Sequence, residues 1–377
     1  MNKQIRSIIL FIIVSLTWVL LMIGNTVPVI GRITVLSLFL LFLVFKLLLN
    51  PNLSIKKYNN LKIVAGVLLI YFFLIILFKY TGSLSVYNGI LSIASVLFFV
   101  SLIDIEIDAD LFSKIISTMS NIGEITIVIF FILSVLRYSV NWVSSSSLTI
   151  CALYFVLSSK RSKRKKFFIS LIWIFGAYFN GERTLVFISI LTPIIYFLFV
   201  KIESKKLKKF IFVTLLGATI LIPIVYVNLS VSQYRFQLDA LSVKYTTSRF
   251  FSGRDVAWSY LLNNMSHTNS YIFGLGHGLT LMDISDLGIS SHNLYLSVLS
   301  RTGFVGLILF YMFLYQIYSC YLKFTGDISE IGVVFLVVTV LKQSSEYGLL
   351  GNNMVLSLVV WFILAVPFMN NNKKIRR

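Results

Sequence analysis

Apolar stretches long enough to cross a bilayer follow one another along nearly the whole of this chain, and few folds can accept them. Residues 8–23, 33–49, 61–78, 210–227 and 305–321 are each about as long as a helix needs to cross a hydrocarbon core of roughly 30 Å. Charged residues make up 12% of the 377 positions, against roughly 25% in a soluble domain, and mean hydropathy is +0.90. The chain therefore reads as an all-α polytopic membrane protein, a single transmembrane domain over 1–377 with about twelve spans (range 10–13). The spans fall near 6–23, 32–49, 61–79, 84–103, 116–136, 146–159, 167–180, 184–200, 210–227, 300–322, 329–342 and 353–369. No small-residue cleavage site follows the first run, which reads as a retained helix and not a signal peptide. Residues 111–120 fit an interfacial helix as well as part of a span.

In a soluble protein, a net charge of +19 would suggest nucleic acid. Here the basic residues cluster between apolar runs, at 160–166, 201–209 and 373–377, which is the mark of cytoplasmic loops. No nucleic-acid partner is expected. An even count of spans puts both termini and the lysine-rich segments on the cytoplasmic side. The acidic segment 104–110 falls on that side too. The same parity places the short turn around Arg183 and the long 228–291 loop together on the outer face. Cys151 and Cys320 are the two cysteines, both inside apolar runs. No spacing of Cys and His suits zinc, so no metal and no other cofactor is expected.

Titratable residues gather around that long loop. His267, His277 and His292 are the three histidines of the chain, and Arg235, Asp239, Arg249, Arg254 and Asp255 lie among them. By contrast, the helix interiors are nearly free of charge apart from Lys46 and Glu124. The loop holds readable structure. Ser252-Gly253-Arg254-Asp255 has capping-box spacing, and Val256, Trp258, Leu261 and Leu262 follow at helical spacing. A short amphipathic helix over about 253–264 is expected. Phe273-Gly274-Leu275-Gly276-His277-Gly278 is too rich in glycine for a helix and reads as a tight turn. It lacks the preceding strand and the lysine of the nucleotide-binding loops. Ser290-Ser291-His292-Asn293 opens the next apolar run as a helix start.

Each candidate has a bland alternative. Arg183 sits between two short spans, where an arginine is costly unless paired or wet, and it also has Glu182 as a neighbour for a plain ion pair. Arg249 and Arg254 carry the five-donor fork that suits phosphate oxygens, or face solvent and Asp239 or Asp255. His292, placed in the first turn of a helix, is expected to stay neutral near pH 7 because the helix dipole disfavours imidazolium. It can then accept a proton from a hydroxyl, while free amides of the same turn hold a phosphate. Alternatively it only caps its helix. His277 is explained as readily by its turn. Trp258 and the other loop aromatics can face sugar rings or pack the loop onto the membrane surface.

The ordered set resembles the family of bacterial O-antigen ligases and O-antigen or capsular polysaccharide polymerases. The resemblance is carried by Asn180-Gly181-Glu182-Arg183-Thr184, by Ser252-Gly253-Arg254-Asp255-Val256-Ala257-Trp258, and by Gly274-Leu275-Gly276-His277-Gly278 followed by Ser291-His292-Asn293 and Arg301-Thr302-Gly303-Phe304-Val305-Gly306. It covers roughly 167–310. It implies an integral-membrane (GT-C-like) glycosyltransferase that acts on the outer face of the bacterial cytoplasmic membrane without a metal. The donor would be an undecaprenyl-pyrophosphate-linked oligosaccharide, and the second substrate a glycan acceptor. Carried onto this chain, Arg183 and Arg254 would bind the donor pyrophosphate, with Arg249 as a further ligand, and His292 would activate the acceptor hydroxyl. His277 and Trp258 would line the substrate site. A chain-length-regulating co-polymerase is a possible partner besides the lipid bilayer.

The richness in Ile, Phe, Lys and Asn matches an AT-rich bacterial coding bias, which suits variable surface-glycan clusters and favours polymerase over ligase. A lipid-glycan transporter is the alternative from another class. It fits less well, because transporters place polar groups near the bilayer midplane and repeat their halves.

Overall fold

Without water in the bilayer core, a crossing chain must satisfy its own backbone groups, and the α-helix does this within one segment. The computed structural model describes residues 58–80, 83–105, 109–137, 146–181, 183–246, 249–251, 253–278, 292–345, 349–350 and 354–371. The spans expected at 6–23 and 32–49, with Lys46, lie outside the described residues. Every other expected span forms as a helix, and the described residues contain no strand.

In chain order the described helices are α1 (Asn59–Phe78), α2 (Ser83–Ile103), α3 (Ala109–Val135), α4 (Ser146–Ser158), α5 (Lys163–Asn180), α6 (Arg183–Lys201), α7 (Lys205–Ser230), α8 (Arg235–Thr246), α9 (Arg254–His267), α10 (Leu294–Tyr321), α11 (Asp327–Lys342) and α12 (Met354–Asn371). Five of them, α1, α2, α3, α7 and α10, are long and apolar enough to cross a membrane, which marks the chain as a membrane protein. The stretch 111–120 is part of α3, one continuous helix.

Burial separates the helices into two kinds. Ser357 to Met369 of α12 and Ile331 to Val340 of α11 are buried without interruption, as befits helices that are apolar all round. They form the centre, with α4 and α10 packed beside them. Outer helices carry two apolar faces. On α1, Leu61, Ala65, Leu68 and Phe72 pack inward, while Ile63, Val67, Ile70 and Phe73 point outward. A soluble protein would make that second face polar; an apolar one suits contact with lipid. Small residues allow close contact: a Cβ on Gly123 of α3 would stand 2.7 Å from the Ala152 carbonyl oxygen of α4.

The connections collect at two ends. At one, the rings of Tyr58, Phe324 and Phe368 cluster, Lys62 pairs with Asp104 at 2.8 Å, and the Tyr318 hydroxyl donates to the Lys208 carbonyl. Glu124, the carboxylate inside α3, pairs with Arg161 and Lys165 of the basic cluster after α4. At the other end lie the connections after α1, α5, α7, α9 and α11. There the Asn88 amide donates to the His277 carbonyl, and the Asn293 amide donates to the Ser344 carbonyl. Arg183 reaches Arg249 across the same end.

Candidate functional site

The second end is organised by a break in α10. Gly303 has φ +67° and ψ −172°, a backbone conformation open essentially to glycine alone. A break inside a buried helix exposes carbonyls on one side and N–H groups on the other, and each must find a partner. The turn before α10 supplies them. Leu275 N donates to Ser300 O (2.7 Å) and Gly276 N to Arg301 O (3.0 Å). Phe304 N donates to Tyr271 O (2.7 Å) and Val305 N to Ile272 O (3.3 Å). The hydroxyl of Tyr71, on α1, donates to Thr302 O at 2.7 Å. The expected turn at 273–278 is therefore a backbone splint laid across the break. The two strands of chain touch so closely that a Cβ on Gly303 would stand 2.1 Å from Ile272 O, and one on Gly274 would stand 2.4 Å from the carbonyl carbon of Arg301.

Beside the splint, α8 and α9 are tied down by charge and aromatic packing. Arg183 opens α6, and its Nη1 donates to Ser242 Oγ (3.1 Å) on α8 and to the Arg249 carbonyl (2.9 Å). Arg249 itself is exposed, and Arg254 is half-buried as the first residue of α9. Asp239 of α8 accepts from Phe251 N at 2.9 Å. Asp255 is 4% exposed and pairs with Arg235 at 3.4 Å. Tyr226 of α7 meets Phe250, Phe251 and Trp258 ring to ring, and its hydroxyl donates to the Phe250 carbonyl. Trp258 is buried, and its ring packs on Tyr226, pinning α9 to α7.

Two expectations need correction here. Gly253, with φ +84°, stands at the cap of α9, and Ser252 lies outside the described residues. Asp255, buried in the first turn, binds Arg235 across to α8. Arg235→Ala should lower stability by about 2 kcal/mol, because it strands a buried carboxylate, and Arg235→Lys should restore part of it. Thermal unfolding of the purified protein in detergent measures both.

His292 is not in the first turn of α10. Asn293 takes the cap, its side chain accepting from Leu296 N at 2.8 Å while its amide holds Ser344 O. Leu294 N is used as well, by the Gln343 carbonyl. Two of the amides at this helix start, Leu294 N and Leu296 N, are therefore engaged within the protein. His292 stands just outside the helix, exposed, with φ +42°.

His277 is buried, at 1% exposure, and neither ring nitrogen has a hydrogen-bond partner among the described residues. Its ring meets Phe72 edge-on and lines a small cleft with Ser92, Arg301 and Thr302, which has room for about one water. Burial, then the neighbouring Arg301, push its pKa down to about 3. It stays neutral at physiological pH. Between about 6.5 and 3 the unfolded chain takes up a proton that folded His277 refuses, so stability falls as pH drops through that window. The slope approaches 1.4 kcal/mol per pH unit. Unfolding measured at pH 7 and pH 5 should show His277→Phe losing about 2 kcal/mol less than the parent on acidification.

Arg301 is the residue that sequence reasoning passed over. It is 6% exposed, in the last turn before the break, where the carbonyl end of the helix favours a cation. Its place in Arg-Thr-Gly was visible, but its depth was not. Among the described residues, no three of His, Cys, Asp and Glu stand together as metal ligands. What the end of the bundle offers chemically is a rim of guanidinium groups (Arg183, Arg235, Arg249, Arg254) with an exposed imidazole, His292, in the connection leading to α10. No known protein family, no curated protein and no solved structure matches the chain.

Proposed function

We propose that the chain is a polymerase of undecaprenyl-pyrophosphate-linked oligosaccharide repeat units, working on the outer face of the bacterial cytoplasmic membrane. This reading requires about twelve crossings with both termini cytoplasmic, as the apolar runs and basic clusters of the sequence suggest. The observation that carries it is the guanidinium rim on one end of an apolar helix bundle, with Arg183 bonded directly to the segment bearing Arg249. A bundle open to lipid suits a polyprenyl tail, and arginine forks suit a diphosphate at the tail's head.

In this reading the acceptor hydroxyl attacks the anomeric carbon of the donor sugar. The new glycosidic C–O bond forms as the bond to pyrophosphate breaks. Undecaprenyl pyrophosphate leaves with the bonding electrons, and the hydroxyl proton passes to the His292 imidazole. Negative charge grows on the leaving diphosphate, so Arg183 and Arg254 bind the transition state more tightly than the ground state. Arg249 adds charge at the rim. His277 and Trp258, both buried, serve by holding the splint and α9 in place.

Deleting the gene in its source strain and running surface glycans on a gel tests the reading. A collapse of long chains to single repeats supports it. Long chains that stay on the lipid carrier identify a ligase, and lipid-linked repeats stranded on the cytoplasmic side identify a transporter; either overturns it.

A further inference from the structure

Helix α8 is amphipathic in the inverted sense. Arg235, Leu238, Asp239 and Ser242, at helical spacing, are its half-buried face. Three of these four are polar, and each is bonded to the protein: Arg235 to Asp255 and the Ser230 carbonyl, Asp239 to Phe251 N, Ser242 to Arg183. The exposed side carries Phe236, Ala240 and Val243 along one flank and Leu241 along the other, with exposed Gln237 and Lys244 between them. Phe236 is 81% exposed and Leu241 54%. A helix in water does the reverse, turning its apolar stripe to the protein and its charges to solvent.

The position of α8 explains the inversion. Four residues separate it from the end of α7. At 1.5 Å per residue, the 26 residues of α7 reach about 39 Å, more than a hydrocarbon core of roughly 30 Å. The connection from Val231 to Tyr234 therefore lies at headgroup level. The outward residues of α7 near this end, Leu221 and Val225, continue through exposed Val231 and Tyr234 to Phe236. Exposed apolar residues thus continue from α7 onto α8, with exposed Asn228 and Gln233 among them. Exposed Lys244 and Arg249 place cations where lipid phosphates lie.

We infer that α8 is an interfacial anchor, its Phe236–Ala240–Val243 stripe seated among the lipid headgroups and upper acyl chains of the bilayer that α7 crosses, so that the arginine-bearing loop is held against the membrane surface. The geometry is that of a helix lying in the interface plane. The assignment stands whatever reaction the chain performs, since it uses only α7 as a span and the exposed stripe.

The test is a polarity-sensitive dye on Phe236→Cys in the full-length protein, with Cys151→Ala and Cys320→Ala, reconstituted in phosphatidylethanolamine–phosphatidylglycerol vesicles. The dye should emit blue-shifted from its value in water. Lipids spin-labelled high on the acyl chain should quench it strongly, and iodide should leave it nearly unchanged. Val243→Cys serves as a second labelling site should the first variant fold poorly. Quenching by iodide would place the stripe in water and overturn the inference. Protection from both quenchers would place protein over it, and would overturn it as well.

Discussion

Gly303→Ala should cost the protein about 3 kcal/mol of stability or more, the largest structural effect of any single methyl group added here. Two penalties add. Alanine has no comfortable place at φ +67°, ψ −172°, which is of order 1–3 kcal/mol of backbone strain. The new Cβ would also stand 2.1 Å from Ile272 O, so the splint must move and its hydrogen bonds lengthen. Gly274→Ala should behave alike, from the other side of the same crossing. Gly66→Ala and Gly217→Ala are the internal controls. Both positions are helical, with no atom within 4 Å of an added Cβ, so they should be neutral or slightly stabilising. Size-exclusion profiles of the detergent-solubilised protein after graded heating separate the two pairs. Equal losses for all four would mean that the crossing does not hold the bundle together.

Arg183→Ala should reduce chain elongation on the order of 100-fold, measured as transfer between purified lipid-linked repeats in vesicles. The proposal asks Arg183 to stabilise charge that grows on the leaving diphosphate. In the structure the same guanidinium also anchors α8 through Ser242 and the segment bearing Arg249 through its carbonyl. Ser242→Ala separates the roles. It removes one anchoring bond and leaves the charge, so it should change elongation by no more than a few-fold. Arg183→Lys keeps the charge and loses the fork, and should recover only part of the activity. If Ser242→Ala were as damaging as Arg183→Ala, Arg183 would be a positioning residue and the diphosphate would be held elsewhere.

Where sequence reasoning and structure part, the same cause recurs. Hydropathy alone put the span at 300–322, while α10 starts at Leu294, where the helix-start signal at Ser290-Ser291-His292-Asn293 put it. Ser297, Ser300, Arg301 and Thr302 lower the hydropathy of its first turns, but all of them are buried in protein and need no lipid-like character. Span 116–136 likewise became Ala109–Val135, because Phe112, Ile115 and Ile116 pack inward next to polar neighbours that dilute the apolar run. Asn293 outranked His292 as the cap because its short amide can both accept from the turn and donate to Ser344, and nothing in local sequence announced the Ser344 carbonyl.

The amino-acid sequence by itself determined that this chain enters a membrane as helices, roughly where the described ones run, and that its three histidines gather between α7 and α10. Those properties are local: apolar length and the clustering of basic residues are read over one segment at a time. Only the tertiary structure decided that the glycine turn is the splint of a broken helix, that His277 and Arg301 lie buried, and that Arg183 reaches the loop beyond α7. Each of those depends on which distant backbone groups meet. The hydrogen bonds that join 271–276 to 300–305 are made by main-chain atoms common to every residue, so the sequence marks them only through the glycines that let the two chains touch.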